Sequence, residues 1–300
     1  MSVLSTVTKG KIQTPEMLCL YGPDGIGKST FAAQMPNPIF LGPEKGTANL
    51  DVARFPSPNT FEEVEKYLLA LHTEKHDYKT LAIDSADWIE PLIHDKMCRD
   101  YGVRNVEEAG GGYGKWVAIS VKMWSDFLKR LGALREQKGM NIIILAHSQV
   151  KTFQDPQQNA SYDRYQLKLQ DKASALIREF VDCVLFANFE TYTKLDANKK
   201  TKAFGDGTRK MYTERRPGFD AKNRFNLPQE LPLSFADYMT AKNGSEKVVP
   251  ENLLKSINEL MAQLSDEELK TKVGASVTKA GNDTAKLNVI LNRLRTLLGS

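Results

Sequence analysis

Short apolar runs recur through the first two thirds of the chain, at 16–21, 38–42, 80–84, 141–146 and 181–187. Each is too short for a helix and reads as a buried strand. Helical patterns lie between the first four, at about 29–35, 60–75, 86–100 and 114–137. The clearest is the last, where Trp116, Ile119, Met123, Phe127, Leu131 and Leu134 fall at steps of three or four and Gly139 lies just beyond the end. That stripe is assigned to the core. Strands alternating with helices predict a mostly parallel sheet flanked by helices.

Farther along, the segment 150–172 turns polar around Asp155, Pro156, Gln157, Gln158 and Asn159, shows no clear periodicity, and is expected to be a long functional loop. Residues 189–227 read as β-ribbon with turns at Asp206-Gly207 and Pro217-Gly218. After Pro250 the pattern becomes purely helical. One stripe holds Leu253, Leu254, Ile257, Leu260, Met261 and Leu264, and another holds Leu287, Ile290, Leu291, Leu294 and Leu298. Between them Ser265 and Glu268 are spaced as a capping box. The expected organisation is a flexible arm over 1–14, an α/β core over 15–240 and a helical appendage over 250–300.

Composition changes this picture little. The net charge of +4 does not by itself indicate nucleic acid, so any basic surface must be local. The three cysteines are far apart and form no C-x-x-C pair, which suits a reducing cytoplasm and suggests neither zinc nor disulfides. The absence of a signal-peptide pattern and of an 18-residue apolar stretch predicts a cytoplasmic protein that does not enter a membrane. His72 and His76 are four apart, but no third ligand is evident and a metal there is not favoured.

The chemistry begins at Gly22-Pro23-Asp24-Gly25-Ile26-Gly27-Lys28-Ser29, followed by Thr30. This fits G-x-x-x-x-G-K-[ST] between a strand and a helix, the pattern of a phosphate-binding loop. Its glycines allow backbone N–H groups to face the phosphates, Lys28 adds positive charge, and Ser29 offers a hydroxyl to Mg²⁺. The bound ligand is expected to be a nucleoside triphosphate. Asp84, at the end of the strand Leu81-Ala82-Ile83, is placed to hold the same Mg²⁺. The next residue is Ser85, whereas many ring ATPases place a catalytic glutamate there, so the base must come from elsewhere. Glu44, just after the second strand, is the candidate, because the carboxyl ends of neighbouring strands share one crevice. His147, ending the fourth strand, is a candidate γ-phosphate sensor.

In this order the motifs resemble the RecA-type recombinase core, and most closely phage-encoded RecA-like ATPases that include single-strand annealing proteins. The resemblance spans about 15–228. It implies a RecA-like P-loop fold, ATP and Mg²⁺ as cofactors, a homo-oligomeric ring or filament with ATP between subunits, and single-stranded DNA as partner. A single-strand DNA-binding protein is a further candidate partner. It also implies that Lys222 and Arg224 reach a neighbour's γ-phosphate. The residues alone leave DNA binding open: Arg104, Tyr113 and Lys115 around Gly110-Gly111-Gly112, and Lys151, Arg164 and Lys168 farther on, interleave with aromatics but also with acids. The resemblance favours them as DNA contacts. The chain departs from the pattern in having His147 where recombinases often have glutamine, and in lacking a clear N-terminal oligomerisation segment. The expected function is DNA-stimulated ATP hydrolysis that promotes single-strand annealing or recombination in a phage. The alternatives are a P-loop kinase of a small substrate and a nucleotide-dependent switch or loader that docks replication proteins.

Overall fold

The structure is a computed structural model. It describes residues 3–10, 12–44, 46–155, 160–195, 201–245, 250–262, 264, 267–281, 283, 286–287, 289–291 and 293–294. Two compact units form, Met1–Met239 and Thr240–Ser300.

In the first unit the strands are β1 (Met17–Gly22), β2 (Pro38–Leu41), β3 (Ala53–Arg54), β4 (Thr80–Ile83), β5 (Asn141–Gln154), β6 (Ser161–Leu167), β7 (Cys183–Phe189), β8 (Tyr192–Leu195), β9 (Thr201–Phe204), β10 (Arg209–Tyr212), β11 (Lys222–Asn223) and β12 (Glu230–Pro232). The helices are α1 (Lys28–Ala33), α2 (Phe61–Thr73), α3 (Ala86–Tyr101), α4 (Lys115–Lys138) and α5 (Asp171–Phe180); α6 (Phe235–Ser245) begins in this unit and runs past its last residue, Met239. The main sheet runs β12-β10-β7-β1-β5-β4-β2-β3. From β7 to β3 the pairs are all parallel, whereas β10, β11 and β12 join antiparallel. Every residue of β1 and β4 is buried, as expected of strands covered on both faces. One large core joins the sheet to α2, α3, α4 and α5 through Leu68, Ile89, Phe127 and Ile177. Along α4 the buried line is Ser120, Trp124, Phe127, Leu128, Leu131 and Leu134, while Trp116, Ile119 and Met123 pack at its margin.

The expected loop over 150–172 is corrected. β5 continues past residue 146 to Gln154 and pairs antiparallel with β6, from Ser148 opposite Leu167 to Gln154 opposite Ser161. The residues do alternate: Phe153, Tyr162 and Arg164 turn inward between exposed neighbours. Both faces carry charged groups, so the contrast that marks a half-buried strand is weak in sequence. The polar tip 156–159 lies outside the described residues.

The second unit contains α7 (Pro250–Ala262), α8 (Glu267–Ala280) and further helical residues between 286 and 294. Its own core gathers Ile257, Leu264, Ala280, Leu287, Leu291 and Leu294, with Leu260, Met261 and Ile290 packed against them. Ser265, Leu298 and the side chains of Leu253 and Glu268 lie outside the described residues.

Candidate nucleotide site

Parallel pairing brings the ends of four strands to one edge. Gly22 of β1 lies opposite His147 of β5, and Leu41 of β2 lies opposite Ile83 of β4. The residues following β2 and β4 therefore open into one crevice beside the loop 22–29. Gly42 is needed at this point: a Cβ there would fall 1.8 Å from the Asp84 carbonyl oxygen, so the two chain segments can touch only if it is glycine.

Inside the crevice, Ser29 Oγ donates to Asp84 Oδ2 at 2.7 Å. Asp84 is 3% exposed, and burial pushes its carboxyl up to about 6 against the opposing bond from Ser29. A hydroxyl and a buried carboxylate side by side at a phosphate loop are a fitting oxygen donor pair for Mg²⁺, and a cation there would restore the ionised form. The Lys28 ammonium donates to the carbonyls of Gly22 and Pro23, at 3.1 and 3.0 Å. Burial lowers its pKa, while Glu44, Asp24, Asp87 and Asp84 work the other way. Glu44 Oε1 is 3.9 Å from His147 Nε2, and Glu44 Oε2 is buried with no hydrogen-bond partner among the described residues. An orphaned buried carboxylate oxygen facing a phosphate loop fits a water or ligand proton.

His147 is held on its other side by a residue that sequence reasoning missed. Its Nδ1 lies 2.7 Å from Asp87 Oδ2, and its backbone N–H donates to Asp87 Oδ1. The Asp87 bond raises the imidazole pKa above its usual value, outweighing burial. Burial works to raise Asp87, but the bonds from His147 outweigh it and keep that carboxyl low. The outer Nε2 meets Asp24 Oδ1 of the loop at 3.2 Å. In sequence Asp87 is simply an acid in the first turn of α3, where acids are ordinary.

The predicted DNA contacts are not equivalent. Arg104, Tyr113, Lys115 and Lys168 are exposed; Tyr113 is fully so, and it lies in a run where Gly110, Gly111, Gly112, Tyr113 and Gly114 all have positive φ. Lys151 pairs with Asp171. Arg164 is a correction: it is 2% exposed, pairs with Asp220 at 2.5 Å and lies over the Phe153 ring, so it belongs to the interior. Lys222 is also corrected. Its ammonium donates to the carbonyls of Arg178, Glu179 and Val181 at the end of α5, which fixes it as a helix-end anchor. Arg224 is exposed and 3.5 Å from Asp182. It follows Asn223, which pairs with Cys183 level with Leu18, so it lies at the sheet end opposite its own phosphate loop.

The strand order, the loop 22–29 and the acid closing β4 define an α/β P-loop NTPase fold. The chain belongs to the AAA domain family, which matches residues 14–225. It is 26% identical over 151 residues to the SPbeta prophage-derived uncharacterized protein YorG of Bacillus subtilis (strain 168), covering 49% of this chain and 44% of that one. The chain thus matches less than half the length of that relative. Among solved structures it is similar to a RadB recombinase at TM-score 0.37 and 13% identity, over 70% of this chain and 91% of that one, a likeness too loose to bear on activity. No helix among the described residues is long and apolar enough to cross a membrane.

Proposed function

We propose that the protein hydrolyses ATP with Mg²⁺ and couples the nucleotide state to single-stranded DNA, in phage recombination or annealing. The carrying observation is β5 itself. The strand brings His147 to the crevice and runs on without a break into the β5–β6 ribbon, which bears Lys151. At the ribbon's foot the Lys168 N–H donates to the His147 carbonyl at 2.9 Å. Gln149 Nε2 bonds the carbonyls of Leu167 and Leu169 there as well. A shift of His147 on losing the γ-phosphate would thus bear directly on the ribbon. The prophage origin of YorG supports the phage setting.

In this reading Lys28 leaves its loop carbonyls for the phosphate oxygens, and Ser29 and Asp84 hold the metal. Mg²⁺ bound there would neutralise charge on the β- and γ-phosphates. Glu44 takes a proton from, or orients, the attacking water. His147, whose protonated form Asp87 favours, exchanges Asp24 for the γ-phosphate and stabilises its charge. A second subunit, with Arg224 at its sheet end, completes the site.

The pH behaviour follows from the Asp87–His147 pair. A histidine raised above its ordinary value near 6.5 contributes most when protonated, and its contribution fades as pH rises through the raised folded pKa. Turnover should therefore decline on the alkaline side of that pKa. Asp87→Asn should move the decline to lower pH in a turnover–pH profile, and an unmoved limb would remove His147 from the role of cationic sensor.

The DNA half of the proposal is tested by ATPase assays with and without single-stranded DNA across a salt series. Several-fold stimulation that fades with salt is expected, because phosphate contacts release counterions. Hydrolysis indifferent to DNA would favour a second reading, phosphoryl transfer to a small acceptor. A cavity of about 220 Å³ beside the crevice, lined by Glu44, Asp84, Arg54, Ser57 and Phe55, offers room for one.

A further inference from the structure

Four basic side chains lie on β10 or in the turn that follows it, and they are not alike; Arg215 lies 3.7 Å from Asp220. Lys210 pairs with Glu190 at 2.9 Å and with Glu230 at 3.3 Å, and Arg216 pairs with Glu230 at 3.2 Å. Arg209 has no carboxylate partner among the described residues. It is exposed, its guanidinium lies 5.8 Å from the Phe189 ring centroid, and it points at the phosphate loop. A Cβ added at Gly27 would lie 3.2 Å from Arg209 Nη1 and 3.7 Å from Leu233 Cδ2. Gly27 itself has φ +112°, which strongly favours glycine. The loop's last glycine therefore serves two needs: its own conformation and the close approach of this guanidinium. Leu233 is tied to the same residue, its N–H donating to the Arg209 carbonyl at 3.2 Å.

We propose that Arg209 is a nucleotide-contacting residue acting within its own chain, gripping the α- and β-phosphates from the β10 side while Leu233 walls the adjoining ribose and base. This rests on the nucleotide-binding reading of the loop 22–29. The glycine end of such a loop cradles the α- and β-phosphates. A planar guanidinium with several N–H donors matches phosphate oxygens better than an ammonium does. The contact comes from the antiparallel edge of the sheet, opposite the side on which Glu44 and His147 stand, so it should secure ADP as well as ATP.

The test is calorimetric titration of Mg-ADP and Mg-ATP into the full chain and its Arg209→Ala, Arg209→Lys and Lys28→Ala variants, with melting curves for each. Arg209→Ala should weaken both nucleotides about tenfold or more, the usual scale for a lost charge-assisted bond, without lowering the melting temperature. Arg209→Lys should recover only part of the loss. Adding Lys28→Ala protein, which carries an intact Arg209, should not rescue Arg209→Ala. If Arg209→Ala folds poorly, Arg209→Gln, which keeps much of the stem, is judged by the same affinities. Binding within twofold of wild type in these variants, while Lys28→Ala loses binding, would overturn the assignment, as would rescue by mixing. Unchanged binding in Lys28→Ala too would instead show that the loop is not the nucleotide site.

Discussion

Glu44→Gln should lower ATP turnover by about 10²- to 10⁴-fold, the usual share of a positioned general base, while ATP binding stays near wild type. The side chain is the only carboxylate among the described residues that combines a place in the crevice with a buried oxygen left without a partner. Its neighbours are already committed: Asp84 to Ser29, Asp87 to His147 and Asp24 to the outer imidazole nitrogen. Glutamine keeps the shape and removes the proton acceptor, so the change isolates chemistry from packing. Equilibrium binding and single-turnover hydrolysis separate the two effects. Turnover within a few-fold of wild type would remove Glu44 from the reaction and leave the base unassigned.

The second large effect is on stability. Asp220 gathers Arg164 and Arg178, with Arg215 at 3.7 Å, and its backbone N–H and carbonyl both bond the Tyr21 hydroxyl. Asp220→Ala would strand the buried Arg164 guanidinium, midway along the ribbon, without its counter-charge. Breaking one side of a buried pair costs about 3–5 kcal/mol, which chemical denaturation would read directly. Arg164→Ala should likewise destabilise, and should weaken DNA binding only as far as the ribbon loosens. Wild-type stability in both variants, with a selective loss of DNA affinity in Arg164→Ala, would return Arg164 to the surface role that its sequence context suggested.

Those two cases show what the chain discloses on its face. Lys28 and Ser29 were legible as candidates from the phosphate-loop motif, and Glu44, Asp84 and His147 because each follows an apolar run closely, and parallel strands of one sheet deliver such positions to a common edge. Local order was enough. Asp87, Arg209 and the burial of Arg164 were hidden for the opposite reason. Asp87 looks like any acid opening a helix. Arg209 reaches Gly27 across a long stretch of sequence by way of an antiparallel strand. Arg164 is drawn inward by Asp220, on a different segment. The β5–β6 ribbon escaped because charged groups on both of its faces blur the alternation that marks a strand. Lys222 looked like a phosphate-reaching lysine because nothing local shows that the end of α5 lies beneath its ammonium.

The most direct test of the account is phosphate release from Mg-ATP by the wild-type chain beside Lys28→Ala, each purified by the same route and checked for folding by its melting curve. The account predicts steady release by wild type that depends on Mg²⁺ and falls to background in Lys28→Ala. Hydrolysis that survives the loss of Lys28, or a wild-type chain that neither binds nor hydrolyses ATP, would contradict it.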